Sequence, residues 1–407
     1  MRKIVIIGGG ASGLMAGYSA SLSTDNQVVI LEKNEKIGKK IYITGKGRCN
    51  LSNDVPTPEF FNFVVNNPKF LYSSIYNFTP SDTYNFFENN GLPLKIERGN
   101  RVFPLSDKSS DVIKTLEKAV IKNGVKIYLN TEVTSLIVES NKVVGVKTNE
   151  KDIFADSVII CTGGISYPLT GSTGDGYIFA KNTGHNVIKP VQALCGIEVA
   201  EQDVKDLQGL ALKNVKITVL YNQKNIYEDF GELLFTHFGV SGPIVLSCSS
   251  MINRLEFNKI LLKIDLKPAL TEDMLENRLV REIESLKTSS INSLIRKLAP
   301  QSLTNVLIKR LGISKNRKCC EITKQERENI IYLLKNFTLK VKSLRPFSEA
   351  IITSGGIDVK NINPKTLESK IIKNLFFAGE VIDVDAYTGG FNLQIAFSTG
   401  YTAGQNA

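Results

Sequence analysis

The sequence predicts an α/β fold: a parallel sheet carrying helices, interrupted by a long insertion and then resumed. Three observations predict it. A buried-type strand, a glycine turn, a helix and a second strand follow one another by residue 32. Two later apolar strands, at 156–161 and 374–377, each run directly into glycine, as Thr162-Gly163-Gly164 and Ala378-Gly379-Glu380. Between His185 and Asn336 no nucleotide motif occurs. A chain of 407 residues has room for two or three domains. The expected division is residues 1–190 with 338–407 for the sheet, 191–271 for a β-rich insert, and 272–337 for a helical insert.

The first strand is Lys3-Ile4-Val5-Ile6-Ile7, an unbroken apolar run of the kind buried on both faces of a parallel sheet. Gly8-Gly9-Gly10-Ala11-Ser12-Gly13 then fits G-x-G-x-x-G. The helix that follows puts Leu14, Met15, Tyr18 and Leu22 on one face, and the strand at 27–31 ends at Glu32. Each part suits a dinucleotide. Gly8 permits the tight turn, Gly10 lets backbone approach a pyrophosphate, and Gly13 lets the helix sit close to the strand. The N–H groups of the first helical turn, at Ala11 and Ser12, face phosphate with the positive end of the helix dipole. Glu32, 24 residues after Gly8, stands where an acid accepts hydrogen bonds from a ribose.

That motif does not by itself separate FAD from NAD, and the rest of the chain selects FAD. Lys33 and Lys40 lead into Thr44-Gly45-Lys46-Gly47-Arg48-Cys49-Asn50, a second basic, glycine-rich loop. Such a loop suits a ligand that continues past its pyrophosphate to a ribityl chain and a flat ring. Arg48 or a lysine there would neutralise phosphate or reduced flavin. Short strands are expected at 125–129, 131–138, 142–148 and 153–154, and a helix after Gly171–Gly176. At the C-terminus, Gly389-Gly390-Phe391-Asn392-Leu393-Gln394 opens a last helix, whose N-terminus would face the pyrimidine edge where charge develops on reduction. In the insert, 214–221, 225–230 and 259–265 read as strands. Pro243 starts a helix after FTHFGVSGP, and Leu275, Leu279, Ile283 and Leu286 form one apolar stripe.

The joint occurrence of GGGASGLMAG, ITGKGRCNLSN, GNRVFP, CTGGISYPLTGSTGDG, FTHFGVSGP and AGEVIDVDAYTGGFNLQIAFSTGYTAG resembles the bacterial NAD(P)/FAD-dependent oxidoreductase family. That family includes aminoacetone oxidases and bile-acid-pathway flavin reductases. More distantly the chain is similar to flavoprotein subunits of fumarate reductases. The resemblance implies a discontinuous Rossmann-like FAD-binding domain with an inserted β plus helical domain. It implies that Gly8, Gly10, Ser12 and Gly13 hold the pyrophosphate, Glu32 the ribose, and Gly45 to Asn50 the flavin and ribityl chain. Val133 would contact adenine through its backbone, Glu380 the ribityl hydroxyls, and Asn392 to Gln394 the pyrimidine edge. Tyr387 stands where the family's Asp-x-Asp-x-x-Thr-Gly-Gly would have a smaller or acidic residue.

The function expected is two-electron hydride transfer through flavin N5 to a small organic substrate, with NAD(P)H as a transient donor. An amine or aminoketone oxidase using dioxygen is one alternative. A nucleic-acid-associated flavoprotein, such as a tRNA-modification component, is another. The net charge of +10 is spread over scattered lysines, which argues against a nucleic-acid groove. Six cysteines without a C-x-x-C pair and only two histidines argue against a dedicated metal site and fit a reduced, cytoplasmic protein. No apolar stretch reaches the length of a membrane span. Ligands are expected where the insert covers the carboxyl ends of the parallel strands. His237, between glycines and aromatics, is the residue in the insert with acid–base potential, ahead of Ser241 and Tyr387. The sequence names neither a catalytic acid or base nor an oligomeric state.

Overall fold

The structure, a computed structural model, describes residues 1–407. It divides into two compact units: Met1–Ala193 with Pro346–Ala407, and Leu194–Arg345. In the first, five parallel strands form one sheet in the order Leu375–Phe377, Ser157–Ile160, Arg2–Ile7 (β1), Asn26–Leu31 (β2), Lys126–Tyr128. Ile4, Val5 and Ile6 are fully buried, as are Val158, Ile159 and Ile160. Each such side chain contributes about 1.5–3 kcal/mol by leaving water, so the apolar runs fix this sheet.

The helix between β1 and β2 spans Ala11–Ala20 (α1). The sequence suggests one buried face, yet all its residues except Ala11 and Tyr18 are buried. The C-terminal helix Phe391–Asn406 lies along it, so close that a Cβ on Gly404 would stand 2.9 Å from the Ala20 nitrogen. Leu22 lies past the end of α1 and is exposed. The strands Val133–Glu139, Lys142–Thr148 and Asp152–Phe154 form an antiparallel meander.

The second unit holds a closed six-stranded barrel. Its strands run Ile197–Val199, Gly239–Ser241, Lys224–Phe235, Ala211–Tyr221, Ile260–Asp265 and Phe337–Leu344, which returns to Ile197–Val199. Alternate residues point inward, among them Ile217, Val219, Leu262, Ile264, Phe337 and Leu339, all fully buried. Pro243 is the first residue of the helix Pro243–Ile252. Four further helices, Glu272–Ser285, Ile291–Leu298, Gln301–Leu311 and Lys324–Lys335, belong to the same unit. Of the apolar stripe in the first of these, Leu275 and Leu279 are buried and Ile283 and Leu286 half-buried.

The seams expected at 190 and 338 fall instead at 193/194 and 345/346. The reason is Phe337–Leu344, which closes the barrel rather than resuming the sheet. For the same reason the β-rich and helical segments are one compact unit, not two. No helix is long and apolar enough to cross a membrane.

Candidate functional site

The glycines of the first turn have three separate reasons to be glycine. Gly8 has φ +103, and a Cβ there would lie 2.6 Å from the Cys161 carbonyl oxygen. A Cβ on Gly13 would run into the Gly8 carbonyl. Gly10, the residue before α1, has an ordinary φ of −85, and no protein atom lies within 4 Å of where its Cβ would be. Only at Gly10, therefore, does the fold itself not require glycine. The first hydrogen bond within α1 runs from Leu14 N–H to the Gly10 carbonyl at 2.9 Å. The N–H groups of Ala11, Ser12 and Gly13 have no acceptor within the helix, and no side chain caps it. Open space over Gly10 beside uncapped N–H groups is the arrangement that accepts a diphosphate.

Glu32 directly follows β2 and is buried. Its Oε2 accepts the Gly9 N–H at 2.8 Å, and its Oε1 accepts the backbone and side-chain N–H groups of Asn34 at 2.9 and 2.6 Å. A carboxylate has about four acceptor positions, so Oε2 retains one for a hydroxyl. The Thr131 N–H donates to the Glu32 carbonyl, which brings the segment entering Val133 alongside.

At the ends of the other strands stand Thr162-Gly163-Gly164 and Gly379-Glu380. The Thr162 hydroxyl is buried without a hydrogen-bond partner. A Cβ on Gly164 would meet the Thr353 side chain at 2.7 Å, and one on Gly379 would meet the Ser12 hydroxyl at 2.5 Å. Glu380 Oε1 accepts from the Thr353 N–H at 2.7 Å and the Ser166 hydroxyl at 3.1 Å. Its Oε2 is 2.6 Å from Lys40 Nζ, which also donates to Ser166 Oγ at 2.5 Å. Thus Gly8–Gly13, Glu32, Thr162–Gly164 and Gly379–Glu380 all follow the carboxyl ends of adjacent parallel strands.

The loop from Thr44 to Asn50 is held in an unusual backbone. Gly45, Lys46, Gly47 and Cys49 all have positive φ, at 61, 57, 86 and 61. The Cys49 thiol is fully buried, and burial pushes its pKa up to about 12. Asn50 Oδ1 is buried without a partner, and a Cβ on Gly390 would lie 2.9 Å from it. This contact joins the loop to the start of the helix Phe391–Asn406. There the first helical bond is Gln394 N–H to Gly390 carbonyl at 3.1 Å, so the N–H groups of Phe391, Asn392 and Leu393 have no acceptor within the helix.

Several side chains expected to serve a ligand are engaged elsewhere. Lys33 pairs with Asp175 at 2.6 Å and donates to Thr173 at 2.5 Å. Arg48 pairs with Glu97 and Asp107, both at 2.5 Å, and lies over the Phe103 ring at 4.3 Å. Those hydrogen bonds, Glu97 first, raise the Arg48 pKa; Arg48 lowers that of Glu97, and Lys95 then Arg48 lower that of Asp107. Arg48 therefore anchors the loop to Glu97 and Asp107. Asn392 Oδ1 accepts the Ala386 N–H at 2.9 Å, while its Nδ2 donates to the Ala386 and Tyr387 carbonyls at 2.8 and 3.2 Å. Gln394 is fully buried, accepting from Ser52 at 2.6 Å and donating to Ser398 and the Phe78 carbonyl at 3.0 and 3.3 Å. At Asn392 the backbone N–H, not the side chain, is free to meet a ligand; at Gln394 the N–H is already given to the Gly390 carbonyl.

Ser52, Asn53, Ser166 and Thr353 support the site without having been singled out. Asn53 Nδ2 donates to the Gly389 carbonyl at 2.9 Å. Ser52 and Asn53 continue the motif RCNLSN, a usable signal; Thr353 lies in a strand with no motif. In the second unit His237 is exposed at the tip between Lys224–Phe235 and Gly239–Ser241. Its ring packs edge-on against Phe238, which lies under Arg345 at 4.4 Å.

A family model described as "HI0933-like protein Rossmann domain" matches residues 2–406. The chain is 31% identical over 410 residues to the 3-dehydro-bile acid delta(4,6)-reductase of Clostridium scindens, covering 100% of this chain and 99% of that one. It is 31% identical over 407 residues to the ribosomal RNA dihydrouridine synthase of Haemophilus influenzae, covering 98% and 96%. Among solved structures it is similar to the 3-ketosteroid-delta4-(5alpha)-dehydrogenase of Rhodococcus jostii, with TM-score 0.51, 15% identity and coverage of 100% and 96%. The 3-ketosteroid delta1-dehydrogenase of Sterolibacterium denitrificans gives TM-score 0.53, 13% identity and coverage of 99% of both chains. At these identities the structures show a shared fold.

Proposed function

Given that the chain belongs to the HI0933-like Rossmann family, we propose that it is an FAD-dependent oxidoreductase that reduces a carbon–carbon double bond conjugated to a carbonyl, with NAD(P)H as donor. The observation that carries the cofactor is Gly10, glycine at a place where no protein atom demands it. In this reading the N–H groups of Ala11, Ser12 and Gly13 hold the pyrophosphate and Glu32 the adenosine ribose. Gly45–Asn50 and Glu380 line the ribityl chain. The N–H groups of Phe391, Asn392 and Leu393, with the helix dipole behind them, steady negative charge at the pyrimidine edge. Asn50 Oδ1 and the Thr162 hydroxyl, buried and without protein partners, are polar atoms a bound ligand would satisfy. FAD held there supplies two-electron hydride chemistry.

The substrate class rests on what two full-length relatives are named for. A delta(4,6)-reductase acting on a 3-oxo bile acid and a dihydrouridine synthase both add two hydrogens to a double bond conjugated to a carbonyl. That addition needs a hydride at one carbon and a proton at its neighbour, with the carbonyl oxygen bearing the charge between. The test is anaerobic. NADH or NADPH should bleach the flavin absorbance, and an enone such as a 3-oxo-4-ene steroid should restore it with formation of the saturated product. Bleaching by an amine without NAD(P)H would support the amine-oxidase reading instead.

A further inference from the structure

We propose that the helices Ile291–Leu298 and Gln301–Leu311, with the returning segment 312–320, form a docking surface for folded RNA. The inference deepens the reductase reading by naming its substrate class, and rests on it only for what happens after docking. Between Glu284 and Glu321 there is no carboxylate. Three cations in that span have fixed roles: Lys287 pairs with Glu284, Arg310 with Asp203, and Arg317 with Glu326. Arg296, Lys297, Lys309, Lys315 and Lys318 are exposed and make no ion pair. The lysines that look scattered along the sequence thus fall, here, on a stretch with no carboxylate of its own, and of the five cations Lys309 lies near enough to Asp203 to lower its pKa.

Ordinary helix electrostatics explains part of this pattern and not the rest. Arg296, Lys297 and Lys309 lie in last turns, where the helix dipole favours cations. Lys315 and Lys318 lie past the end of Gln301–Leu311 and gain nothing from it. The same rule favours acids in first turns. The flanking helices obey it, with Glu272 and Asp273 in one and Glu326 in the other. The two helices between them have no acid there at all.

The charges sit on a firm support. Leu294, Ile295, Leu298, Leu303, Val306 and Leu307 are buried. The returning segment is tied to the start of the first helix: Ile291 N–H donates to the Arg317 carbonyl at 2.8 Å, and Cys319 N–H to the Ser289 carbonyl at 2.9 Å. Lys318 is therefore paired beside Ser290.

What surrounds the cations selects the occupant. A lipid surface would require apolar side chains to insert, but no large hydrophobic residue between Val280 and Tyr332 is exposed. Instead Gln301, Ser302, Asn305, Ser314 and Asn316 are exposed, amides and hydroxyls suited to phosphate and ribose oxygens. No Phe, Tyr or Trp occurs from 286 to 331. Single-stranded RNA is bound largely by aromatic stacking, whereas helical RNA is read through phosphates and 2′-hydroxyls. The surface suits the second.

The test uses the full-length, FAD-loaded chain and a fluorescent RNA hairpin, with anisotropy measured from 50 to 300 mM KCl. Two variants are compared: Arg296→Gln/Lys297→Gln/Lys315→Gln/Lys318→Gln, and a control with exposed lysines neutralised elsewhere, Lys118→Gln/Lys122→Gln/Lys147→Gln/Lys151→Gln. Each phosphate contact contributes roughly 0.7–0.9 to the salt slope. The first variant should lower the slope by about 3 and weaken binding at least ~10-fold at 100 mM KCl, with FAD content per chain unchanged. The control should bind nearly as wild type. Absence of binding, equal loss in both variants, equal affinity for a single-stranded oligonucleotide, or binding to phosphatidylserine vesicles in place of RNA would each overturn the proposal. Failure of FAD loading or of bleaching by NAD(P)H would instead overturn the reductase reading and leave the RNA result standing.

Discussion

Lys40 and Glu380 are 340 residues apart in the chain, yet Lys40 Nζ lies 2.6 Å from Glu380 Oε2. The pair fastens the short helix before the 44–50 loop to the end of the C-terminal strand. Both side chains are about a quarter exposed, so solvent screens much of the Coulomb attraction. Thr353 and Ser166 hold the other carboxylate oxygen, which makes the group a network. Lys40→Met should cost about 1–2 kcal/mol and Glu380→Gln somewhat less. The double variant should fall short of their sum by about 0.5–1 kcal/mol. Urea unfolding of the four proteins measures this. Strict additivity would mean that the two residues do not act together.

The cysteines give a chemical check on the 44–50 loop. Cys49, Cys161, Cys195, Cys248 and Cys319 are buried, and Cys320 is exposed. Burial pushes Cys49 up to about 12, and Cys161 up to about 12 with Ser12 opposing. Such thiols hold little thiolate at pH 8. Native protein at pH 8 should therefore react rapidly with one equivalent of a thiol reagent, at Cys320. Rapid labelling of Cys49 would mean that the loop opens and that its left-handed backbone is not fixed.

His185 should make the fold acid-sensitive. It is 4% exposed, with Nε2 2.7 Å from Ser369 Oγ and Nδ1 3.0 Å from Thr183 Oγ1. Burial lowers its pKa, more than its bond to Ala180 raises it. The unfolded chain titrates near 6.5, so just below that pH the unfolded state binds more protons. The stability contribution is complete above about pH 6.5 and is lost as pH falls through the lower folded value. Wild type should lose stability from pH 7 to 5 more steeply than His185→Gln. Equal slopes would remove His185 as a cause.

The first βαβ unit was legible because every signal in it is local: an apolar run, glycines at fixed spacing, an acid at the end of the next strand. The barrel was not. Phe337–Leu344 pairs with Ile260–Asp265 and Ile197–Val199 across long stretches of chain, and no local pattern marks such partners. The same distinction holds inside the site. Motif position brought Arg48, Asn392 and Gln394 to the right neighbourhood. The bonds of Arg48 to Glu97 and Asp107 and of Gln394 to Ser52 depend on tertiary neighbours that spacing does not reveal, while those of Asn392 to Ala386 and Tyr387 close a local turn. Asn392→Asp should accordingly loosen the 386–392 turn by removing both donors, lowering the urea midpoint. An unchanged midpoint would mean those bonds add nothing.

The FAD affinity of Gly10→Ala, set beside its stability without cofactor, tests the central claim most directly. Gly10 already has a backbone that alanine adopts, and no protein atom lies within 4 Å of the added methyl. The cofactor-free variant should therefore unfold within about 0.5 kcal/mol of wild type. A pyrophosphate lying over that position would meet the methyl, so FAD should bind at least ~10-fold more weakly, about 1.4 kcal/mol. Unchanged FAD affinity in the stable variant would contradict the account, because the cofactor would then lie somewhere other than over Gly10.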